Sequence, residues 1–176
     1  MRKGWSIIVG LALAFALLGN VGCTAPTSSE SNEPGESNFN MIFKYGIMAK
    51  NELNTFHGTY IKDMIMDPSV MVNLSLSEEE KDRIYRKMVE IDFFSYPDEF
   101  SVSVPVGGSI GMVTPHSSYY FKVEYNSKVK ELRWEDKITN KDEKADKLRE
   151  LIKLIRDIIE SKEEYKKMPP PTGGYL

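Results

Sequence analysis

Ser118–Tyr125 (SYYFKVEY) and Val129–Glu135 (VKELRWE), joined by Asn126-Ser127-Lys128, decide the fold. Both runs alternate. Phe121, Val123 and Tyr125 fall on one side of the first run, with Lys122 and Glu124 on the other. Leu132 and Trp134 share one side of the second. Successive side chains of a strand point to opposite faces, so the two runs form a hairpin with one apolar and one solvated face. The polar joint is a turn signal. An antiparallel sheet follows, and its apolar face needs a cover.

The cover is legible on both sides of the hairpin. Downstream, Leu148, Leu151, Ile152, Ile155, Ile158 and Ile159 recur at helical spacing, the strongest amphipathic pattern in the chain. Asn140-Lys141-Asp142-Glu143 has the form of a loose capping box, so the helix is predicted from about Lys141 to Lys166. Pro169-Pro170-Pro171 stops it, and residues 169–176 are expected to form a mobile tail. Upstream, Ser77-Glu78-Glu79-Glu80 is a capping box with acids in the first turn, which also suit the positive end of the helix dipole. The predicted helix runs from Glu78 to Asp92, with Ile84, Met88 and Ile91 on its inner face and Lys81, Asp82, Arg86, Lys87 and Glu90 outside.

The remaining strands precede and follow that first helix. Met41–Met48 and Thr55–Ile65 read as strands, with Lys50–Asn54 a polar connection between them. Asp67-Pro68-Ser69 reads as a turn, Val70–Ser75 as a short strand and Phe100–Pro105 as a brief one. The glycine-rich stretch Val106–His116 (VGGSIGMVTPH) is a loop. The order predicts an α+β fold: a mainly antiparallel sheet of four to six strands with two amphipathic helices packed on one face, a single domain over residues 39–168.

The N-terminus has a different character. Arg2 and Lys3 precede a fourteen-residue apolar run, Trp5–Leu18, and Gly19-Asn20-Val21-Gly22 leads to Cys23, the chain's one cysteine. This is the layout of a secretory signal over residues 1–22, and the apolar run is shorter than the roughly 20 residues a spanning helix needs. Val21, Gly22 and Cys23 resemble the lipobox of bacterial lipoproteins, with Asn20 standing where an aliphatic residue is typical. The resemblance implies a diacylglyceryl thioether on Cys23, a mature chain that begins there, and an extracytoplasmic protein anchored to the cell membrane. The layout is similar to that of many uncharacterised lipoproteins of Gram-positive bacteria. Residues 23–38 then read as a lipidated tether: Thr24–Asn38 (TAPTSSESNEPGESN) has no apolar period, and roughly 15 residues of such a chain reach about 20 Å.

Charge narrows the partners. The chain carries a formal charge of −3, and losing the two cations of residues 1–22 leaves −5. That balance argues against nucleic acid, which demands a concentrated basic surface, and against binding to anionic lipid beyond the anchor itself. With no cysteine after Cys23, stability rests on an apolar core rather than on disulfides.

Chemistry is sparse. His57 and His116 are the two histidines; a zinc site would need a third ligand, for which Asp98, Glu99, Asp63 or Asp67 are available. Ser117 and Ser118 adjoin His116, yet neighbours on an extended strand point apart, and no Gly-x-Ser-x-Gly is present. Gly107-Gly108-Ser109-Ile110-Gly111 precedes a strand rather than a helix and has no following lysine, so it reads as a flexible connection rather than a phosphate cradle. Asp63 and Asp67 lack the dense spacing of a calcium loop. Tyr119 and Tyr125 are candidates for sugar or protein contact if they emerge from the hairpin. Asn73-Leu74-Ser75 matches a glycosylation sequon, without use in a bacterial lipoprotein. The expectation is therefore a non-enzymatic binding or accessory module with no cofactor, no metal and no catalytic residue, whose partners are the membrane through Cys23 and an envelope protein or ligand. The alternatives are a cell-envelope hydrolase using His116 and nearby acids, and an inhibitor acting through loop 105–116.

Overall fold

A computed structural model describes residues 38–175. The expected signal (1–22), Cys23 and all of the expected tether but Asn38 lie outside the described residues, as does Leu176.

The described chain forms β1 (Asn40–Tyr45), β2 (Asn51–Asn54), β3 (Thr59–Met64), β4 (Asp67–Asn73), α1 (Glu78–Glu90), a single 3-10 turn (Phe93–Ser95), β5 (Glu99–Phe100), β6 (Ser118–Tyr125), β7 (Lys128–Glu135), α2 (Glu143–Ser161) and α3 (Glu163–Lys166). The fold is α+β, with one seven-stranded sheet in the order β4-β3-β2-β1-β6-β7-β5. Every pairing is antiparallel except the short parallel one between β5 and β7. The sheet is thus mixed, with one strand more than expected at the upper limit. The third helix, α3, is four residues that restart after Lys162 adopts an extended backbone.

The hairpin is the centre of the design. β6 and β7 pair from Ser118↔Glu135 to Tyr125↔Lys128, which leaves a two-residue turn. Asn126 and Ser127 both have positive φ, 48° and 60°, the twist that lets two strands meet without splaying. Lys128 therefore belongs to the strand, not to the turn. β6 also pairs with β1, where Phe43 lies opposite Phe121 on one side and Leu53 on the other. Met41, Phe43, Leu53, Phe121, Val123 and Leu132 are fully buried, in one cluster with Ile84 and Met88 of α1 and Leu148, Leu151, Ile155 and Ile159 of α2. The opposite face of the sheet carries ion pairs, Lys44 to Glu52 and Arg133 to Glu99 and Glu131.

The caps divide. At α1 the box forms as read: Ser77 Oγ accepts the Glu80 N–H at 3.3 Å, and Glu80 Oε2 accepts the Ser77 N–H at 2.8 Å. At α2 the cap is Asp142, which accepts the Ala145 N–H at 2.9 Å, so the helix starts two residues later than predicted and ends at Ser161.

Four local readings change. Asn51–Asn54 is a strand rather than a polar connection; only Leu53 need be apolar, because Glu52 faces solvent against Lys44. Residues 55–58 are a turn rather than the start of β3: Asn54 Oδ1 accepts the N–H groups of Phe56 and His57, and Gly58 takes φ +61°. Asp67-Pro68-Ser69 belongs to β4. This strand is an edge, where a proline's missing N–H need not interrupt a ladder. Of Phe100–Pro105, only Phe100 pairs, together with Glu99.

The segment 169–175, read from its prolines as a mobile tail, lies along β3 and β4. Lys62 Nζ donates to the Pro169 carbonyl at 3.0 Å, Thr172 donates to Asp67 at 2.5 Å, and the Tyr175 hydroxyl meets Asp63.

Tyr45 and Tyr60 cross the core with their hydroxyls 2.6 Å apart. Burial pushes the Tyr45 phenol up to about 12 and the Tyr60 phenol above its usual range. A raised pKa means that the folded state keeps a proton the unfolded chain releases near pH 10, so stability is full below pH 10 and is lost as pH climbs toward 12. Urea titrations at pH 8 and pH 11.5 should differ by about 2 kcal/mol through Tyr45 alone. A Tyr45→Phe/Tyr60→Phe double variant should flatten this alkaline loss.

Candidate functional site

Strand β1 joins two unlike ends of the domain. Its start, Asn40, follows directly on the incoming chain and pairs with Glu124 near the hairpin turn. Just past its other end, Ile47 bridges Ser117, immediately after the loop 105–116. At about 3.3 Å per residue these ends are separated by roughly 20 Å.

The loop is a built object. Gly111 donates its N–H to Asn140 Oδ1 and accepts the Thr139 N–H, both at 2.9 Å. Val113 N–H reaches the Lys137 carbonyl and Asn140 Nδ2 reaches the Ser109 carbonyl, again at 2.9 Å. Met112 and Ile138 form an isolated bridge. A Cβ on Gly111 would stand 2.3 Å from Thr139 Oγ1, so a side chain at 111 would have to displace the Thr139 hydroxyl. The side chains of this tied loop point outward: Val106 is fully exposed, Ile110 58%, Met112 63% and Val113 43% exposed. Single exposed apolar residues are ordinary, but four on one short loop make it a candidate contact surface.

Two grooves lie on that side of the hairpin. The larger, about 530 Å³, is lined by Phe100, Tyr119, Tyr120, Arg133, Trp134 and Lys137, and touches the loop's anchor through Ile138. The other, about 350 Å³, runs between Tyr119 and the α2 side chains Arg149, Arg156 and Glu160. Its charges are satisfied from within. Arg149 grips Asp136 with two bonds, of 3.0 and 2.6 Å, adds Asp146 at 2.7 Å, and lies over the Trp134 ring. Burial raises the Tyr119 phenol above its ordinary value.

The residues singled out for chemistry are scattered. His57 sits exposed in the turn before β3, at the end where the chain enters. His116 sits at the loop end, its Nε2 3.9 Å from Glu135 Oε2. Glu135 is held by Lys137 at 2.7 Å, and that bond keeps its carboxyl below the usual range, the state of a committed ion-pair partner. Asp98 and Glu99 bond Lys130 and Arg133, whereas Asp63 and Asp67 serve the segment 169–175 at the far edge of the sheet. Among the described residues, no group of three or more His, Cys, Asp or Glu side chains could hold a metal ion. Ser117 is taken up in the bridge to Ile47, and Ser118 opens β6. Tyr119 and Tyr125 are half-buried at the two ends of β6, while Phe121 and Trp134 are core. Asn73 is exposed on β4.

Sequence reading missed the anchoring of the loop. Its one signal was the asparagine at 140, taken there as a helix cap and used instead to grip Ser109 and Gly111. Comparison with family models gives no match, and comparison with curated proteins gives none either. No described helix is long and apolar enough to cross a membrane.

Proposed function

We propose that this protein is a non-enzymatic binding module, lipid-anchored through Cys23 on the extracytoplasmic face of the cell membrane, which presents loop 105–116 to an envelope protein. The observation that carries the reading is the position of an ordered loop with exposed Val106, Ile110, Met112 and Val113 at the end of β1 opposite the incoming chain. A tether entering one end leaves the other free to meet a partner. The scatter of His57, His116 and the acids supports binding over hydrolysis, since a base needs its nucleophile within hydrogen-bond reach and an orienting group behind it. A contact made by a loop tied at Ser109, Gly111 and Val113 also fits the blocking of a partner's cleft, so inhibition is one form the binding can take.

An Ile110→Asp/Met112→Asp variant tests the reading. Both side chains are exposed, so unfolding free energy should change by no more than about 0.5 kcal/mol. Crosslinking and capture from intact cells should then lose the partner bands seen with the parent chain. Bands that persist unchanged would remove the loop from the interface.

A further inference from the structure

The end of the domain where the chain enters has an unassigned apolar surface. Phe39, the second described residue, packs its ring 5.8 Å from Tyr85 of α1. Tyr85 stacks on Tyr125 at 4.1 Å and meets Phe94 at 6.2 Å. Val89, one turn after Tyr85 on α1, is 54% exposed; Val129, just past the hairpin turn, is 57% exposed, and Phe94 39%. Tyr85, Phe94, Tyr125 and Val129 line a shallow hollow of about 430 Å³ with Lys128 and Lys130 on its rim. The hydroxyl of Tyr125, next to it, is the main cause that lifts the Tyr85 phenol to about 12, so the Tyr85 ring stays neutral at any physiological pH.

We propose that this surface is a second membrane contact: a foot that rests in the headgroup layer of the bilayer to which Cys23 is anchored. The proposal builds on the lipid-anchor reading. Three features select a bilayer as the occupant. The patch adjoins the point of chain entry, since Asn40 pairs with Glu124, the residue before Tyr125. A tether of the kind expected for Thr24–Asn38 would have a mean reach of roughly 20 Å, so an acylated Cys23 would hold the patch on average about a domain's width or less from the lipid. Tyrosine and phenylalanine beside a lysine are the side chains that settle at a membrane interface, ring in the acyl boundary and ammonium outward. In sequence Glu90 follows Val89 and Asp92 precedes Phe94 by two residues, and Asp98 pairs with Lys130. The foot is therefore driven by its rings and valines, and an electrically neutral bilayer suffices. It would fix the orientation of the domain and turn loop 105–116 away from the membrane.

The test uses the mature chain with a hexahistidine tag in place of Cys23, held on phosphatidylcholine vesicles that contain a nickel-chelating lipid. No other cysteine exists, so Val129→Cys and, separately, Met66→Cys accept one environment-sensitive dye each. Met66 is 76% exposed on the turn between β3 and β4, at the opposite end of the strands. Dye at residue 129 should brighten about threefold on tethering, and dye at residue 66 should hardly change. Phe94→Ser in the Val129→Cys chain should cut the brightening by half or more. An equal response at the two positions, or none at residue 129, would overturn the foot. So would brightening that rises with protein concentration in the absence of vesicles, which would mark the patch as a contact between two copies. Because the tag replaces the acyl group, these outcomes are independent of whether Cys23 is acylated in the cell.

Discussion

A Cys23→Ala form of this protein is expected to leave the membrane fraction, appearing in the soluble fraction or as unprocessed precursor. Alanine removes the sulfur that would carry the diacylglyceryl group, and no second cysteine can substitute for it. One acyl chain alone binds bilayers only marginally, with K on the order of 10⁴ M⁻¹, whereas two make a stable anchor. Losing both should lower the mature protein bound to membranes by about a hundredfold or more, since the aromatic foot is a weak contact by itself. Fractionation followed by immunoblotting reads this directly. A Cys23→Ala chain that stayed membrane-bound and mature-sized would contradict lipidation.

The second large effect is in the core. Phe43→Ala should cost about 4 kcal/mol of unfolding free energy in a urea titration. Phe43 is fully buried on the central strand, between Leu53 and Phe121 in register. Its ring lies 4.8 Å from Phe121 and 5.1 Å from Tyr45, and Phe121 in turn meets Phe93 at 5.3 Å. Truncation opens a cavity where four aromatic side chains meet. Domains of this kind hold only about 5–15 kcal/mol in total, so the variant should lose a large share of its stability. A loss below 1 kcal/mol would mean that the sheet is not packed as described.

The hairpin and α2 were legible because their apolar residues follow periods of 2 and 3.6 over at least seven residues, long enough for the pattern to identify the element. β2 was illegible for the opposite reason. Asn51-Glu52-Leu53-Asn54 has a single apolar residue, and its place in the sheet is decided by β1 and β3 on either side rather than by its own composition. Asn54 shows the same limit: its side chain makes the turn that ends β2, but an asparagine in sequence does not announce which backbone amides it will take. β4 hid behind Pro68, because whether a proline breaks a strand depends on its being at an edge, a property of the whole sheet. Loop 105–116 could be found from its glycines, but its tie to the chain before α2 could not. That depends on Asn140, 29 residues from Gly111, which it holds in the fold. The aromatic foot was likewise divided among α1, Phe94 and the two sides of the hairpin turn.

Intact mass spectrometry of the protein extracted from membranes is the most direct test of the anchored-module reading. The predicted result is a mature chain whose first residue is Cys23 and whose mass exceeds the polypeptide's by that of a diacylglyceryl group. A first residue elsewhere, or a Cys23 of unmodified mass, would contradict it.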